Sequence, residues 1–201
     1  MASKIIVDQL EKTGGALTAL TLPVANATAN QHLKNDGAGA LSWVTPAGTP
    51  LFTSFAIIAD QKAAGTDGGT FTSGSWQTRD LQTEITDIDG IVTISANEFT
   101  LAAGTYLINW NCCAFQCNSH KSRLYDVTGT ASLGMGMPQW TQSLDHGSNN
   151  SEGSTRITPS GSNVYRIEHR CSLTKADQGF GVPADFSEPE IFTRVEIYKE
   201  S

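Results

Sequence analysis

The clearest hydrophobic pattern in the chain lies between Asn97 and Cys112. Two large apolar residues alternate with polar neighbours before a tight bend at the small residues 102–104. Beyond the bend, bulky or apolar residues occupy every second position: Tyr106, Ile108, Trp110 and Cys112. Successive side chains of a strand point to opposite faces of a sheet, so these residues share one face. The pattern predicts a half-buried central strand. Leu107 and Phe115 make its other face too apolar for open water, which favours self-association.

The rest of the chain after residue 50 consists of short apolar runs separated by turn residues, which is typical of a β-sandwich. The predicted strands are Phe52–Ala59, Trp76–Ile85, Ile91–Ser95, His120–Val127, Val164–Cys171 and Ile191–Lys199. No stretch keeps a helical period, and residues 129–163 are predicted to form a long polar excursion. The predicted core residues are Phe99, Tyr106, Ile108, Trp110, Tyr165, Ile167, Val195 and Ile197.

Residues 1–50 differ in composition from the rest, because no Asp, Glu, Lys or Arg occurs between Lys12 and Lys34. Such a segment cannot form a core alone. It is either a disordered linker or an extended arm that becomes ordered against another protein. Its Ile, Leu and Val content favours the arm, since disordered tails are usually rich in charge and poor in these residues. The residues expected to contact a partner are Ile5, Ile6, Val7, Leu17, Leu20, Leu22 and Trp43. Pro46, Gly48 and Pro50 mark the boundary, which predicts an arm over 1–50 and a domain over 51–201.

The net charge restricts the possible partners, and the expected cellular location indicates the redox state of the cysteines. The net charge is −7, and no cluster of Lys and Arg is present, which argues against nucleic acid or an anionic membrane as a partner. The apolar run Ile5–Val7 is too short for a signal or a membrane span. We therefore expect a protein made in a cytoplasm, without membrane insertion. Disulfides are rare there, so the four cysteines are expected to be thiols.

Several short patterns suggest chemistry, but each has a simpler explanation. Cys113, Cys117 and His120 have spacing that could suit zinc, but a second ligand pair is lacking, and buried thiols explain them better. Residues 87–90 resemble part of a calcium loop but lack its later acidic ligands, so a plain turn is expected. Ser143, Asp145 and His146 lack the strand–turn–helix context of a hydrolase, and residues 134–136 lack the third glycine of a dinucleotide site. We expect no catalytic residues, no metal site, no cofactor and no enzyme activity.

Several of these segments resemble known jelly-roll domains and phage virion proteins. The Phe-Thr, Gly-Thr-Tyr and apolar-strand sequence of residues 99–112 resembles the central strand of jelly rolls in the complement and tumour-necrosis-factor superfamily. Ile58–Leu81, His120–Thr128 and Tyr165–Arg170 resemble trimeric jelly-roll knobs of tailed-bacteriophage virions. Lys4–Leu22 together with Ala29–Val44 resembles the anchoring segments of phage fibres.

The resemblance implies an all-β fold, a jelly-roll β-sandwich preceded by an extended N-terminal arm. It also implies a homotrimer located in the virion, with the arm bound to other capsid or tail proteins. A short fibre or knob that contacts a host surface receptor is the leading hypothesis. Trp140, Asp145 and His146 are the candidate host contacts, although an exposed Trp can equally pack its own loop down. A head decoration protein that stabilises the capsid is the alternative, and a metal-dependent or hydrolytic enzyme is a distant one. The implied strand order makes the strands of Cys112 and Cys171 neighbours, although intracellular assembly argues for reduced thiols.

Overall fold

The computed structural model describes residues 9–10, 20–46, 48, 50–141 and 147–201 of the chain. The chain divides into two compact units, Met1–Thr49 and Pro50–Ser201, which we describe separately. Within the described residues, every regular element is a β-strand, and no helix has the length and apolar character needed to cross a membrane.

The N-terminal unit contains two small antiparallel sheets. Strands β1 (Gln9–Leu10) and β2 (Leu20–Thr21) form one sheet, and β3 (His32–Asn35) and β4 (Leu41–Val44) form the other. The turn between β3 and β4 is closed by the Asp36 carboxylate, which accepts hydrogen bonds from the backbone of Ala38 and Ala40 at 2.8 and 3.0 Å. Such local side-chain bonds fix a turn without any core.

The C-terminal unit is a β-sandwich of two antiparallel sheets. Its strands are β5 (Phe52–Lys62), β6 (Gln77–Thr78), β7 (Thr83–Thr86), β8 (Val92–Ser95), β9 (Glu98–Leu101), β10 (Tyr106–Phe115), β11 (Asn118–Asp126), β12 (Ala131–Met135), β13 (Gln139–Thr141), β14 (Ser148–Ile157), β15 (Asn163–Cys171) and β16 (Glu190–Glu200). The five-stranded sheet has the order β14-β10-β16-β5-β7. The seven-stranded sheet has the order β12-β11-β15-β9-β8, with β13 on β11 and β6 on β15. From β9 onward the chain repeatedly crosses between the two sheets, which is the jelly-roll topology.

The core lies between the sheets, where the alternating residues of the long strands meet. The inward residues of β10 include Tyr106, Ile108 and Trp110, and all three are buried. The other predicted core residues are also buried: Phe99, Tyr165, Ile167, Val195 and Ile197. Burying a large apolar side chain contributes about 1.5–3 kcal/mol, so these residues stabilise the sandwich substantially.

The predicted strand Trp76–Ile85 is wrong, because the chain changes sheets in the middle of it. Its first part, β6, pairs with β15 in the seven-stranded sheet, whereas β7 pairs with β5 in the five-stranded sheet. Arg79 and Leu81 lie on the crossing segment and are fully buried.

The long polar excursion predicted for residues 129–163 is also wrong. It contains β12, β13 and β14, and β14 pairs with β10 over the whole length of both strands. Gly153 lies opposite Trp110, and a Cβ at Gly153 would clash with the indole. The Trp110 indole therefore fills the space that a side chain at position 153 would occupy.

Candidate functional site

A groove with a volume of about 1030 Å³ opens at one end of the seven-stranded sheet. It lies where the 73–76 loop, β11, β13 and the end of β15 come together. The residues that line it are Ser73, Gly74, Trp76, Ser119, His120, Lys121, Pro138, Gln139, Trp140, Arg170, Cys171 and Ser172. Of the predicted host contacts, Trp140 lies in this groove, whereas Asp145 and His146 lie outside the described residues.

Two indole rings line the groove. Trp140 is on β13, which pairs with β11 through Ser119, and 58% of its surface is exposed. Trp76 is half-buried, and the guanidinium of Arg123 lies 4.1 Å from its ring centroid. Arg123 is in turn paired with Glu168, with 2.5 Å between guanidinium nitrogen and carboxylate oxygen. Trp76 is therefore held from one side by a fixed cation, while Trp140 presents most of its ring to solvent.

Within the described residues, two cations in the groove lack the carboxylate partners that the other cations of the seven-stranded sheet have. Lys121 on β11 lies directly opposite Arg170 on β15. Among the described residues, neither side chain forms an ion pair with a carboxylate. The next cations along the same two strands both form ion pairs. Glu168 binds Arg123 and Arg166, and Arg166 also binds Glu98 at 3.2 Å.

A chain of hydrogen bonds that runs from the surface into the interior supports the wall of the groove. The Asn149 amide nitrogen donates to the Trp140 carbonyl at 2.9 Å, and the Asn149 amide oxygen lies 2.6 Å from His120 Nε2. His120 Nε2 must therefore carry a proton, which leaves Nδ1 to accept a hydrogen bond from His169 Nε2 at 2.9 Å. Within the described residues, Nδ1 of His169 has no hydrogen-bond partner. Both histidines are thus neutral in this arrangement.

The electrostatic surroundings also favour the neutral histidines. Burial lowers the pKa of both His120 and His169. The positive charge of Arg79 lowers both pKa values further. Protonation of His120 at Nδ1 would place two donors against each other and would release the hydrogen bond from His169.

Arg79 is the main polar residue of the interior. It is fully buried, donates to Thr193 Oγ1 at 2.7 Å, and stacks on the Phe180 ring at 4.2 Å. Its remaining donors bind the carbonyls of Cys113, Phe180 and Phe192 at 2.9–3.1 Å. No carboxylate of the described residues hydrogen-bonds to it, so backbone carbonyls provide its counter-dipoles. The sequence analysis missed this residue because a single Arg in a polar stretch carries no signal of burial.

The four cysteines are free thiols. The expectation that the strands of Cys112 and Cys171 are neighbours is wrong, because β10 and β15 lie in opposite sheets. Cys112 belongs to the main core, and burial raises its pKa to about 12. Cys171 instead belongs to a smaller cluster with Cys117, and its hydrogen bond to Cys117 and its burial raise its pKa. Within the described residues, no group of three or more His, Cys, Asp and Glu side chains is placed to hold a metal ion.

Two separate apolar surfaces lie on the outside of the C-terminal unit. We call Phe55, Tyr198 and Leu107 the face patch, because they lie side by side across β5, β16 and β10. Phe55 is 47% exposed and stacks on Tyr198 at 6.5 Å.

We call Leu133, Met135 and Met137 the edge stripe, because they occupy alternate positions along and just beyond the edge strand β12. Met135 and Met137 are 52% and 62% exposed. Phe115, expected beside Leu107, is buried at the end of β10.

The predicted arm residues are only partly covered by the structure. Ile5, Ile6, Val7 and Leu17 lie outside the described residues. Leu20, Leu22 and Trp43 are half-buried, and the Trp43 indole donates to the Ala25 carbonyl at 2.7 Å. Val24 is fully exposed, and all four residues of β3 are exposed, including Leu33.

No protein-family model matches the chain, and no curated protein sequence does. Among solved structures, the globular domain of zebrafish complement 1qA is similar, with a TM-score of 0.46 and 11% identity over 73% of this chain and 95% of that one. The Eiger TNF of S. frugiperda has a TM-score of 0.48 and 12% identity, over 76% and 94%. PRD1 vertex protein P5 has a TM-score of 0.44 and 12% identity, over 75% and 99%. At these TM-scores and identities, the similarity gives no information about assembly, partners or activity. The assignment of the jelly roll is based on the strand order itself.

Proposed function

We propose that this chain is a homotrimeric structural protein of a tailed-phage virion. In this proposal it is a short fibre or knob, which the N-terminal arm anchors to the particle and whose C-terminal unit contacts the host surface. It carries no catalytic function. The observation that supports the assembly most directly is the presence of two apolar surfaces, the face patch and the edge stripe, on different parts of one sandwich.

Two different apolar surfaces favour a ring over a two-fold dimer. A two-fold interface buries the same patch on both subunits, whereas a head-to-tail interface joins two different patches. When the edge stripe of one subunit packs on the face patch of the next, both surfaces are covered in every subunit once the ring closes. A ring of three copies fits the sequence resemblance to trimeric knobs. Each interface would need to bury about 800 Å² per partner to be stable.

The arm supports the anchoring role. Its uncharged segment carries apolar side chains, of which Val24 is fully exposed and Leu33 is 41% exposed. Among the described residues, no third strand joins the sheet of β3 and β4, and open strand edges are templates for pairing with another protein. Ordering such a segment costs about 1–2 kcal/mol per residue, so burial of several apolar side chains must be combined with backbone pairing.

The test is deletion of residues 1–46 in the phage that encodes the protein. We expect a soluble, trimeric knob that no longer joins the particle, and gold labelling of the full-length protein at the tail. Labelling over the capsid would instead identify a head decoration protein. Incorporation of the truncated protein at normal occupancy would overturn the anchoring role, and a monomer in sedimentation would overturn the trimer.

A further inference from the structure

The strongest unexplained feature of the molecule is the pair formed by Lys121 and Arg170. Like charges directly opposite each other on neighbouring strands destabilise a sheet. The chain has 20 acidic residues against 13 basic ones, so carboxylates are abundant. Nevertheless, the described residues place none in contact with either cation, while the adjoining Arg123 and Arg166 share Glu168. An anion bound between Lys121 and Arg170 would remove the repulsion.

The groove also provides an apolar surface at the same place. Trp140 exposes 58% of its surface and lines the same groove as the two cations, and Trp76 lines it as well. A sugar ring has an apolar face of C–H groups that packs well on an indole, while its hydroxyl groups stay in water. A volume of about 1030 Å³ accommodates several sugar rings.

We propose that this groove binds an acidic oligosaccharide, a sugar chain that carries carboxylate groups. The uronate carboxylates lie between Lys121 and Arg170, where the Arg170 guanidinium can form a paired hydrogen bond with one carboxylate. Neighbouring sugar rings stack on Trp140 and Trp76. This inference rests on the proposed contact with a host surface, and it names the kind of surface polymer that is recognised.

The backbone position of Trp140 is suited to such a role. Its carbonyl is held by Asn149, which is itself oriented by the buried His120 and His169. The indole is therefore exposed on a supported strand. Preorganisation of this kind lowers the entropic cost of binding.

The experiment is isothermal titration of the full-length protein with oligogalacturonate. A neutral gluco-oligosaccharide of equal length and an inorganic polyphosphate of equal charge serve as comparison ligands. The test variants are K121Q/R170Q and W140A. The matched control is K34Q/K199Q, which removes the same charge at two positions outside the groove. Sedimentation of each variant verifies that its oligomeric state is unchanged.

We expect oligogalacturonate to bind the wild type and the control equally, and to bind K121Q/R170Q and W140A about tenfold or more weakly. Binding should weaken as salt is raised, because the contact is between charges. Absence of binding to the wild type, or equal binding to K121Q/R170Q, would overturn the proposal. Equal binding of the neutral chain would refute the role of the cations. Equal binding of polyphosphate, unaffected by W140A, would refute recognition of a sugar. A protein that is trimeric and particle-bound yet does not bind would leave the proposed virion role intact and remove only this inference.

Discussion

The head-to-tail assembly predicts an unusual result for two variants that fail separately and combine when mixed. Phe55→Lys places a charge in the face patch but leaves the edge stripe intact. Met135→Lys does the reverse. In a head-to-tail interface, the intact edge of the first variant can pack on the intact face of the second. The mixture should therefore form a dimer with one good interface, although each variant alone is monomeric.

The magnitude follows from the exposure of the two side chains. Phe55 is 47% exposed and Met135 is 52% exposed, so about half of each side chain remains to be buried on assembly. Full burial is worth about 1.5–3 kcal/mol, so the lost half is worth about 1 kcal/mol. An ammonium group held without a partner in the interface costs several kcal/mol more. A loss of at least about 3 kcal/mol weakens the affinity of one interface more than a hundredfold. In a ring of one variant, every interface is weakened in this way.

Sedimentation velocity at micromolar concentration measures the outcome. We expect wild type at the trimer mass, both variants at the monomer mass, and their equimolar mixture at the dimer mass. Phe186→Lys is the matched control, because Phe186 is 82% exposed and belongs to neither patch, and it should remain a trimer. Thermal melting verifies that every variant is folded. Trimeric F55K or M135K would show that the patch concerned is not an interface. A mixture that stays monomeric would refute the head-to-tail arrangement.

Further predictions concern the interior. Arg79→Met removes the donors of three carbonyls, and each buried acceptor that loses its partner costs about 1–3 kcal/mol. The free energy of unfolding in urea titration should therefore fall by about 3–5 kcal/mol, whereas exposed Arg156→Met should change it by less than about 1 kcal/mol. The pKa values of His120 and His169 are lowered in the folded protein. Below the ordinary histidine pKa of 6.5, the unfolded chain therefore binds more protons than the folded protein does. The free energy of unfolding should therefore be highest above about pH 6.5 and should fall as the pH decreases towards 5. The fall should be up to about 1.4 kcal/mol per pH unit for each histidine. Replacement of His169 by Gln should make this pH dependence less steep. A slope that is the same in H169Q would contradict the assignment. All four cysteines should titrate as free thiols after denaturation without reductant, and chelators should leave the melting temperature unchanged; a lower thiol count or a lower melting temperature would indicate a disulfide or a metal.

The sequence by itself determined the all-β class and most of the central core. Every second residue from Tyr106 to Trp110 is large and apolar, and a strand with one buried face requires this period. The same reasoning identified β15 from Tyr165 and Ile167. These features depend on local periodicity, because the pleat alone decides which side chains share a face.

Only the tertiary structure decided the features that depend on a neighbouring strand. The strand β14 is polar in sequence, and its place in the sheet is set by its pairing with β10, where Gly153 leaves space for Trp110. Arg79 is buried because the chain crosses between the sheets there and brings it to three carbonyls from distant segments. The candidate groove likewise needs the pairing of β11 with β15, which brings Lys121 opposite Arg170 from 49 positions further along the chain. No local pattern contains this information, because each contact is set by strand order and register across long separations.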